Sequence, residues 1–279
     1  MYNFPVGVII DSFRTDIPTA VKKAAEVGAQ GIQVYSTRGE MAPENLSQNK
    51  RREFVDLVES CGLKISALCG DLGGFTDRKI NKERIKNSKQ ILLLAKELGT
   101  DVVTTHIGVV PEDPQEERYK VMQEACFELA EYADTLQAHF AIETGPETSL
   151  VLKQFLDSMH SRGVAVNLDP ANLVMVTGDD PVKAVYNLKD YIVHTHAKDG
   201  KQLFYKDPEI VYGVRKSVIV TGPSFEEVPL GEGSVDWPNY LAALADIGYK
   251  GFLTIEREVG ENPEADIRNA VMFLKGLMA

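Results

Sequence analysis

Short β-prone runs alternate with longer helical segments along the chain, and this alternation is the feature that most restricts its fold. Several helical segments stop at a glycine just past the last turn, as at Gly28, Gly99 and Gly248. Strands that alternate with helices predict a parallel sheet. The β-prone runs cover 6–10, 31–35, 64–69, 101–106, 139–143, 164–169, 191–196 and 251–256.

Eight strand–helix repeats in 279 residues predict a single (β/α)8 TIM-barrel domain that spans 1–279. An open doubly wound sheet is the alternative, and it is disfavoured because no G-x-G-x-x-G loop follows an early strand. The largest irregular stretch, 200–234, lies between the seventh strand and the seventh helix. A loop at that point lies over the face on which barrel enzymes hold their active sites.

Composition restricts the class of partner and the compartment. The net charge of −11 disfavours a nucleic-acid-binding protein, which normally presents a basic face. The three cysteines, Cys61, Cys69 and Cys126, match no zinc or C-x-x-C spacing and fit a reducing compartment. The N-terminus lacks the pattern of a signal peptide, and no apolar run is long enough to span a bilayer. We therefore expect a cytoplasmic protein that binds a small molecule.

Side-chain parity on the last four predicted strands sends polar residues to one end of the barrel. Residues two apart on a strand share a face, and the opposite faces of these strands are apolar and suit packing against helices. The last inward residues of the four strands are Glu143, Asp169, His196 and Glu256. Three carboxylates and one imidazole are therefore predicted to meet at the barrel mouth.

Three acids in a partly dry site repel one another, so a positive charge must offset them. A divalent cation is the economical choice, because carboxylates and imidazole suit Mn²⁺, Mg²⁺, Co²⁺ or Zn²⁺. The absence of cysteine from the set disfavours a structural zinc site. Each residue alone is also compatible with a helix cap, an ion pair or a core position. His139 and His194 lie deeper by parity, which favours a structural role for both.

Five motifs resemble a known family: "AIETG", "NLDPAN", "HTHAKD", "PLGEGSVDW" and "GYKGFLTIERE". Their order and spacing resemble the xylose isomerase-like TIM barrel superfamily of sugar phosphate isomerases and epimerases, which includes the tagatose/psicose 3-epimerases. The resemblance covers nearly the whole chain. It implies that Glu143, Asp169, His196 and Glu256 bind a divalent metal, with Mn²⁺ preferred over Co²⁺, Mg²⁺ or Zn²⁺. It also implies a homodimer or homotetramer.

The resemblance and the residues near the four predicted ligands give further candidates for the active site. His106 ends the fourth strand, where family members often carry a histidine near the substrate. Asn172 stands three residues after the ligand aspartate, where the family often has histidine; both are candidate substrate-binding residues, as is Arg257. Asp199 and Glu232 are candidates for orienting the metal ligands. A loop hydrogen bond, an ion pair and a surface turn are the structural alternatives for His106, Arg257 and Glu232.

The predicted function is a metal-dependent keto-sugar or sugar phosphate isomerase or epimerase that works through an enediolate. The resemblance implies that Glu143 and Glu256 move protons on either side of the reacting carbon. An inosose- or dehydroshikimate-type dehydratase and a non-catalytic sugar-binding barrel are the alternatives. Four basic residues of the long loop are candidates for holding an acidic group of the substrate, although a solvated loop is the simpler interpretation: Lys201, Lys206, Arg215 and Lys216.

Overall fold

A closed barrel of eight parallel strands forms the centre of the computed structural model, which describes residues 2–216 and 222–279. Each strand overlaps one of the eight predicted runs, so the predicted fold class is confirmed. The barrel strands are β1 (Val6–Ile9), β2 (Gly31–Tyr35), β3 (Lys64–Cys69), β4 (Val102–Thr105), β5 (His139–Glu143), β6 (Val164–Leu168), β7 (Ile192–Ala197) and β10 (Leu253–Ile255). Around the barrel they follow the order β1-β10-β7-β6-β5-β4-β3-β2.

Helices surround the barrel, and capping residues fix where many of them begin. The carboxylates of Asp16 and Asp180 accept backbone N–H groups at two helix starts. Gly28 and Gly99 follow two helix ends with φ values of 85° and 86°, a conformation that favours glycine. The helices are α1 (Ile17–Glu26), α2 (Gln48–Ser60), α3 (Arg78–Glu97), α4 (Glu117–Leu136), α5 (Ser149–Asp157), α6 (Pro170–Asn172), α7 (Pro181–Asn187), α8 (Pro208–Val211), α9 (Trp237–Asp246) and α10 (Pro263–Met278).

The apolar core lies between the strands and the helices, whereas the inside of the barrel is polar. Phe140 and Ile142, on the outward face of β5, are fully buried. Inside the barrel, the Nδ1 of His194 lies 2.9 Å from the Oδ1 of Asn167, and its Nε2 lies 2.9 Å from the hydroxyl of Thr254. Both ring nitrogens of His194 are therefore paired, which agrees with a structural role.

The stretch predicted to be irregular, 200–234, contains regular structure. Strands β8 (Asp199–Gln202) and β9 (Phe225–Val228) pair in antiparallel fashion, and α8 lies between them in sequence. We call the segment from Asp199 to Val235 the excursion; its residues 217–221 lie outside the described part of the chain. The excursion projects from the carboxyl end of β7, on the side where the predicted site lies.

Two sequence expectations about the chain as a whole can be compared with this structure. Over residues 2–216 and 222–279, no helix combines the length and apolar character needed to cross a membrane. Cys61, Cys69 and Cys126 are free thiols.

Candidate metal centre and active site

Four residues meet at the carboxyl ends of four neighbouring barrel strands. Glu143 ends β5, Asp169 follows β6, His196 lies near the end of β7 and Glu256 follows β10. One potential ligand atom from each lies within 4.8 Å of the others, and all four side chains are buried. The structure thus brings together the set that strand parity predicts. We call these four residues the quartet.

The quartet is centred on the Nδ1 atom of His196. That nitrogen lies 3.5 Å from Glu143 Oε1, 3.6 Å from Asp169 Oδ2 and 3.4 Å from Glu256 Oε2. Within the described residues, neither His196 Nδ1 nor Asp169 Oδ2 has a hydrogen-bond partner, although both atoms are buried. An unpaired buried polar atom costs about 1–3 kcal/mol. A divalent cation with oxygen and nitrogen ligands fits this set, so these residues could hold one.

Residues inside the barrel orient His196 for such a role. Its Nε2 lies 3.1 Å from the Oε1 of Gln33, and the amide nitrogen of Gln33 donates to the Thr104 hydroxyl at 2.8 Å. The second bond turns the Gln33 oxygen towards Nε2, which also lies 3.2 Å from the amide nitrogen of Asn167, so that these two side chains fix the orientation of the ring. Nδ1 then faces the three carboxylates, where it could bind a cation together with them.

Amide groups hold the carboxylates of Glu143 and Asp169. The side-chain amides of Asn172 and Asn167 donate to Glu143 Oε1 at 3.0 Å and to Oε2 at 3.2 Å. The backbone N–H of Asn172 donates to Asp169 Oδ1 at 2.9 Å, so Asp169 caps α6 with one oxygen. Its other oxygen, Oδ2, faces the other three residues of the quartet.

Lys198 contacts the quartet and was not among the predicted site residues. Its ammonium donates to Glu256 Oε2 at 3.0 Å and to Glu258 Oε2 at 2.6 Å. Burial lowers the pKa of Lys198, but the carboxylates of Glu256 and Asp169 raise it well above its usual value. Burial raises the pKa of Glu256, and Lys198 and His196 outweigh burial and lower it. Glu256 is therefore held as a carboxylate.

A cavity of about 1090 Å³ opens from the quartet towards solvent. His106 lines it, with Nε2 3.8 Å from Glu143 Oε1 and Nδ1 3.4 Å from Asp71 Oδ2. Loss of solvent lowers the pKa of His106, but Glu143 and Asp71 raise it to about 9. Asn172 also lines this cavity. His106 and Asn172 thus lie where a substrate next to the quartet would contact them.

Arg257, Asp199 and Glu232 do not line the cavity. The guanidinium of Arg257 is buried between Asp266, at 2.8 Å, and Glu227, at 2.6 Å, outside the lining of the cavity. Glu232 is exposed in a turn.

Asp199 accepts hydrogen bonds from Gly231 N, Val235 N and Trp237 Nε1 at 2.9–3.2 Å, and it contacts none of the quartet residues. Its carboxylate organises the excursion, whereas the sequence predicted that it would orient a metal ligand.

Comparisons with known proteins identify the family of the chain. The model of the family described as xylose isomerase-like TIM barrel matches residues 21–277. L-ribulose-5-phosphate 3-epimerase UlaE of Escherichia coli K12 is 22% identical over 260 residues, which cover 89% of this chain and 84% of that protein.

Two solved structures share the fold. A xylose isomerase domain protein from Planctomyces limnophilus has a TM-score of 0.80 at 23% identity, covering 98% of this chain and 96% of that chain. AsbF of Bacillus anthracis, a probable 3-DHS dehydratase, has a TM-score of 0.76 at 18% identity, covering 98% and 99%. At these identities, the likeness shows the fold alone.

Proposed function

The chain belongs to the xylose isomerase-like TIM barrel family, and from this premise we propose that it is a divalent-metal-dependent isomerase or epimerase of a keto sugar or sugar phosphate. The observation that carries the proposal is the quartet, with its unpaired His196 Nδ1 and Asp169 Oδ2. The name of the relative UlaE, an epimerase of a sugar phosphate, supports the same reaction class.

Glu143, Asp169, His196 and Glu256 would hold the cation in this proposal. When bound, a divalent ion supplies positive charge to the carbonyl and adjacent hydroxyl oxygens of a sugar and so stabilises the enediolate formed on loss of a proton. Three carboxylates and one imidazole favour Mn²⁺, and Co²⁺, Mg²⁺ and Zn²⁺ are the alternatives.

Glu143 and Glu256 are proposed to transfer the proton. They stand at the two ends of the four-strand arc β5-β6-β7-β10, so a carbon atom held over its centre has a carboxylate on either side. One glutamate, as its carboxylate, removes the proton next to the carbonyl and keeps it; the other glutamate, which has first taken up a proton from solvent, donates that proton to the opposite face. Asn172 and Lys198 hold the two groups in place. Return of the proton to the same carbon gives epimerisation, and return of the proton to the adjacent carbon gives isomerisation.

A dehydratase is the second candidate because His106 lies 3.8 Å from Glu143 in the cavity wall. A protonated imidazole at that position is suited to protonating a hydroxyl group that leaves from the next carbon. The similar structure AsbF is described as a probable dehydratase, which supports this alternative.

The test is solvent deuterium exchange into ketoses, sugar phosphates and inososes by the Mn²⁺-loaded protein. We expect exchange with at least one compound, and we expect Glu143→Gln and Glu256→Gln each to lower its rate about 100-fold or more. Glu232→Gln, an exposed change outside the cavity, is the matched control and should exchange at the wild-type rate.

Three other results of the exchange experiment would change the proposal. Normal exchange in either glutamine variant would remove the proton-transfer role from that residue. Loss of water with formation of a conjugated carbonyl would identify the dehydratase. Saturable binding without exchange would favour a sugar-binding barrel.

A further inference from the structure

The cavity above the quartet is larger than a monosaccharide requires. Its volume of about 1090 Å³ lies just above the roughly 300–1,000 Å³ typical of pockets for drug-sized ligands. A ketose held by the quartet, His106 and Asn172 would fill only the floor. The outer part is then available to a group attached to the sugar.

The mouth of the cavity carries exposed apolar side chains beside the exposed carboxylates of Glu226 and Glu258. Four apolar side chains at the mouth come from three separate parts of the chain and are 38–49% exposed. Apolar surface in water is unfavourable by about 25 cal/mol per Å², so a ligand that covers these side chains gains affinity. We call them the outer subsite: Ile80, Tyr212, Val214 and Val259.

The outer subsite is continuous with the proposed active site. The ring of Tyr212 lies 6.4 Å, centroid to centroid, from the ring of His106. Behind the mouth, the cavity wall continues with Val211 and the buried side chains of Met175 and Val176. A flat protein partner would touch the rim and leave this deeper wall uncovered, whereas a substituent on the substrate would contact both.

The charges around the mouth disfavour a phosphate group. The basic candidates of the excursion, Lys201, Lys206, Arg215 and Lys216, do not line the cavity. Arg118 lines it but is paired with Glu209 of α8, and Lys198 is held by Glu256 and Glu258. The guanidinium of Arg84 remains, bonded to the Gly74 carbonyl. Carboxylates, among them the exposed Glu226, lie in the same wall.

We propose that the outer subsite binds an uncharged apolar or ring-shaped substituent, so that the substrate is a keto sugar joined to a second group, such as a glycoside, and is neither free nor phosphorylated. This inference rests on the proposed function, because that function places the reacting sugar at the quartet. The inference restricts the class of substrate by means of the outer subsite, whose side chains take no part in the proposed proton transfer.

The test measures dissociation constants of three probes with the full-length Mn²⁺-loaded protein: phenyl β-glucoside, methyl β-glucoside and ribulose 5-phosphate. We expect the phenyl glucoside to bind about tenfold more tightly than either of the others, because the outer subsite covers its ring. Tyr212→Ala should remove most of that advantage and leave methyl glucoside binding unchanged. Tyr205→Ala is the matched control, since Tyr205 is an exposed tyrosine of the same excursion outside this cavity.

Equal affinities for the two glucosides, no binding of the phenyl glucoside, or tighter binding of ribulose 5-phosphate would overturn the inference. An identical effect of the two tyrosine variants would also overturn it. The glucosides carry no carbonyl, so their binding does not depend on proton transfer. A phenyl preference in a protein that exchanges no deuterium would therefore contradict the proposed reaction and leave the subsite standing.

Discussion

The two ring nitrogens of His196 have different surroundings. Nε2 bonds the side chain of Gln33 inside the barrel, and Nδ1 faces three carboxylates without a hydrogen bond. The first contact fixes the orientation of the ring, and Nδ1 could bind a cation together with the carboxylates. A neighbouring histidine on the same face, His194, is paired on both nitrogens and remains part of the interior network.

Glu147 gives a pH-dependent prediction at the residue scale. It is buried, and its Oε2 accepts the N–H of Val110 at 3.1 Å. Burial raises its pKa from 4.5 to about 8, although the Val110 amide favours the ionised form. Between these values the folded state binds the proton more tightly than the unfolded chain. The wild type should therefore lose stability relative to Glu147→Gln as the pH rises, by at most about 1.4 kcal/mol per pH unit.

Urea unfolding at several pH values across this window measures the difference between wild type and variant. Glu112→Gln, at an exposed neighbouring position, is the control and should follow the wild type at every pH. Parallel stability curves for wild type and Glu147→Gln would contradict the prediction.

Strand parity predicts the quartet because a period of two fixes which side chains face the barrel interior. The same rule could have identified Lys198, which continues the face of His194 and His196, because β7 extends to Ala197, one residue beyond the predicted strand end. It also argues against Arg257, which directly follows the inward Glu256 and points to Glu227 and Asp266. Tyr212 has no such signal, because tertiary contacts of the excursion determine its position.

Among the elements, the barrel strands were predictable from the sequence, whereas the antiparallel β8–β9 hairpin of the excursion was not. Barrel strands are apolar runs followed by helices, whereas "DGKQ" in β8 and "FEEV" in β9 are short and mostly polar and pair only with each other. The buried carboxylate of Asp199 ties this hairpin to the segment that leads into α9.

Asp199→Asn should therefore destabilise the protein. The asparagine amide would replace one carboxylate oxygen by an NH2 group, which would face either the N–H groups of Gly231 and Trp237 or that of Val235, at a cost of about 2–4 kcal/mol in the free energy of unfolding. Affinity for Mn²⁺ should be unchanged because Asp199 contacts no quartet residue. Urea unfolding and Mn²⁺ binding measure the two effects.

Asp236→Asn is the matched control, because Asp236 is an exposed cap of α9 whose replacement retains a capping side chain. Equal stability losses in the two variants would contradict the role assigned to Asp199, as would loss of Mn²⁺ affinity in Asp199→Asn.

In the whole molecule, the closed barrel places different residues of the site on the two sides of its mouth. One arc, β5-β6-β7-β10, supplies the quartet. The other side supplies His106 after β4 and Asp71 after β3, which face the quartet across the cavity, and Gln33 of β2 bonds His196 from below. The proposed function therefore depends on the quartet binding one cation.

The most direct test is an equilibrium titration of the metal-free, full-length protein with Mn²⁺, followed by electron paramagnetic resonance. We predict one tight site per chain and a loss of affinity of about 100-fold or more in Asp169→Asn, which keeps the cap of α6 but loses a charged ligand. Asp180→Asn, the same change at the cap of α7, should bind as the wild type does. No tight site in the wild type, or equally tight binding in Asp169→Asn, would contradict this prediction.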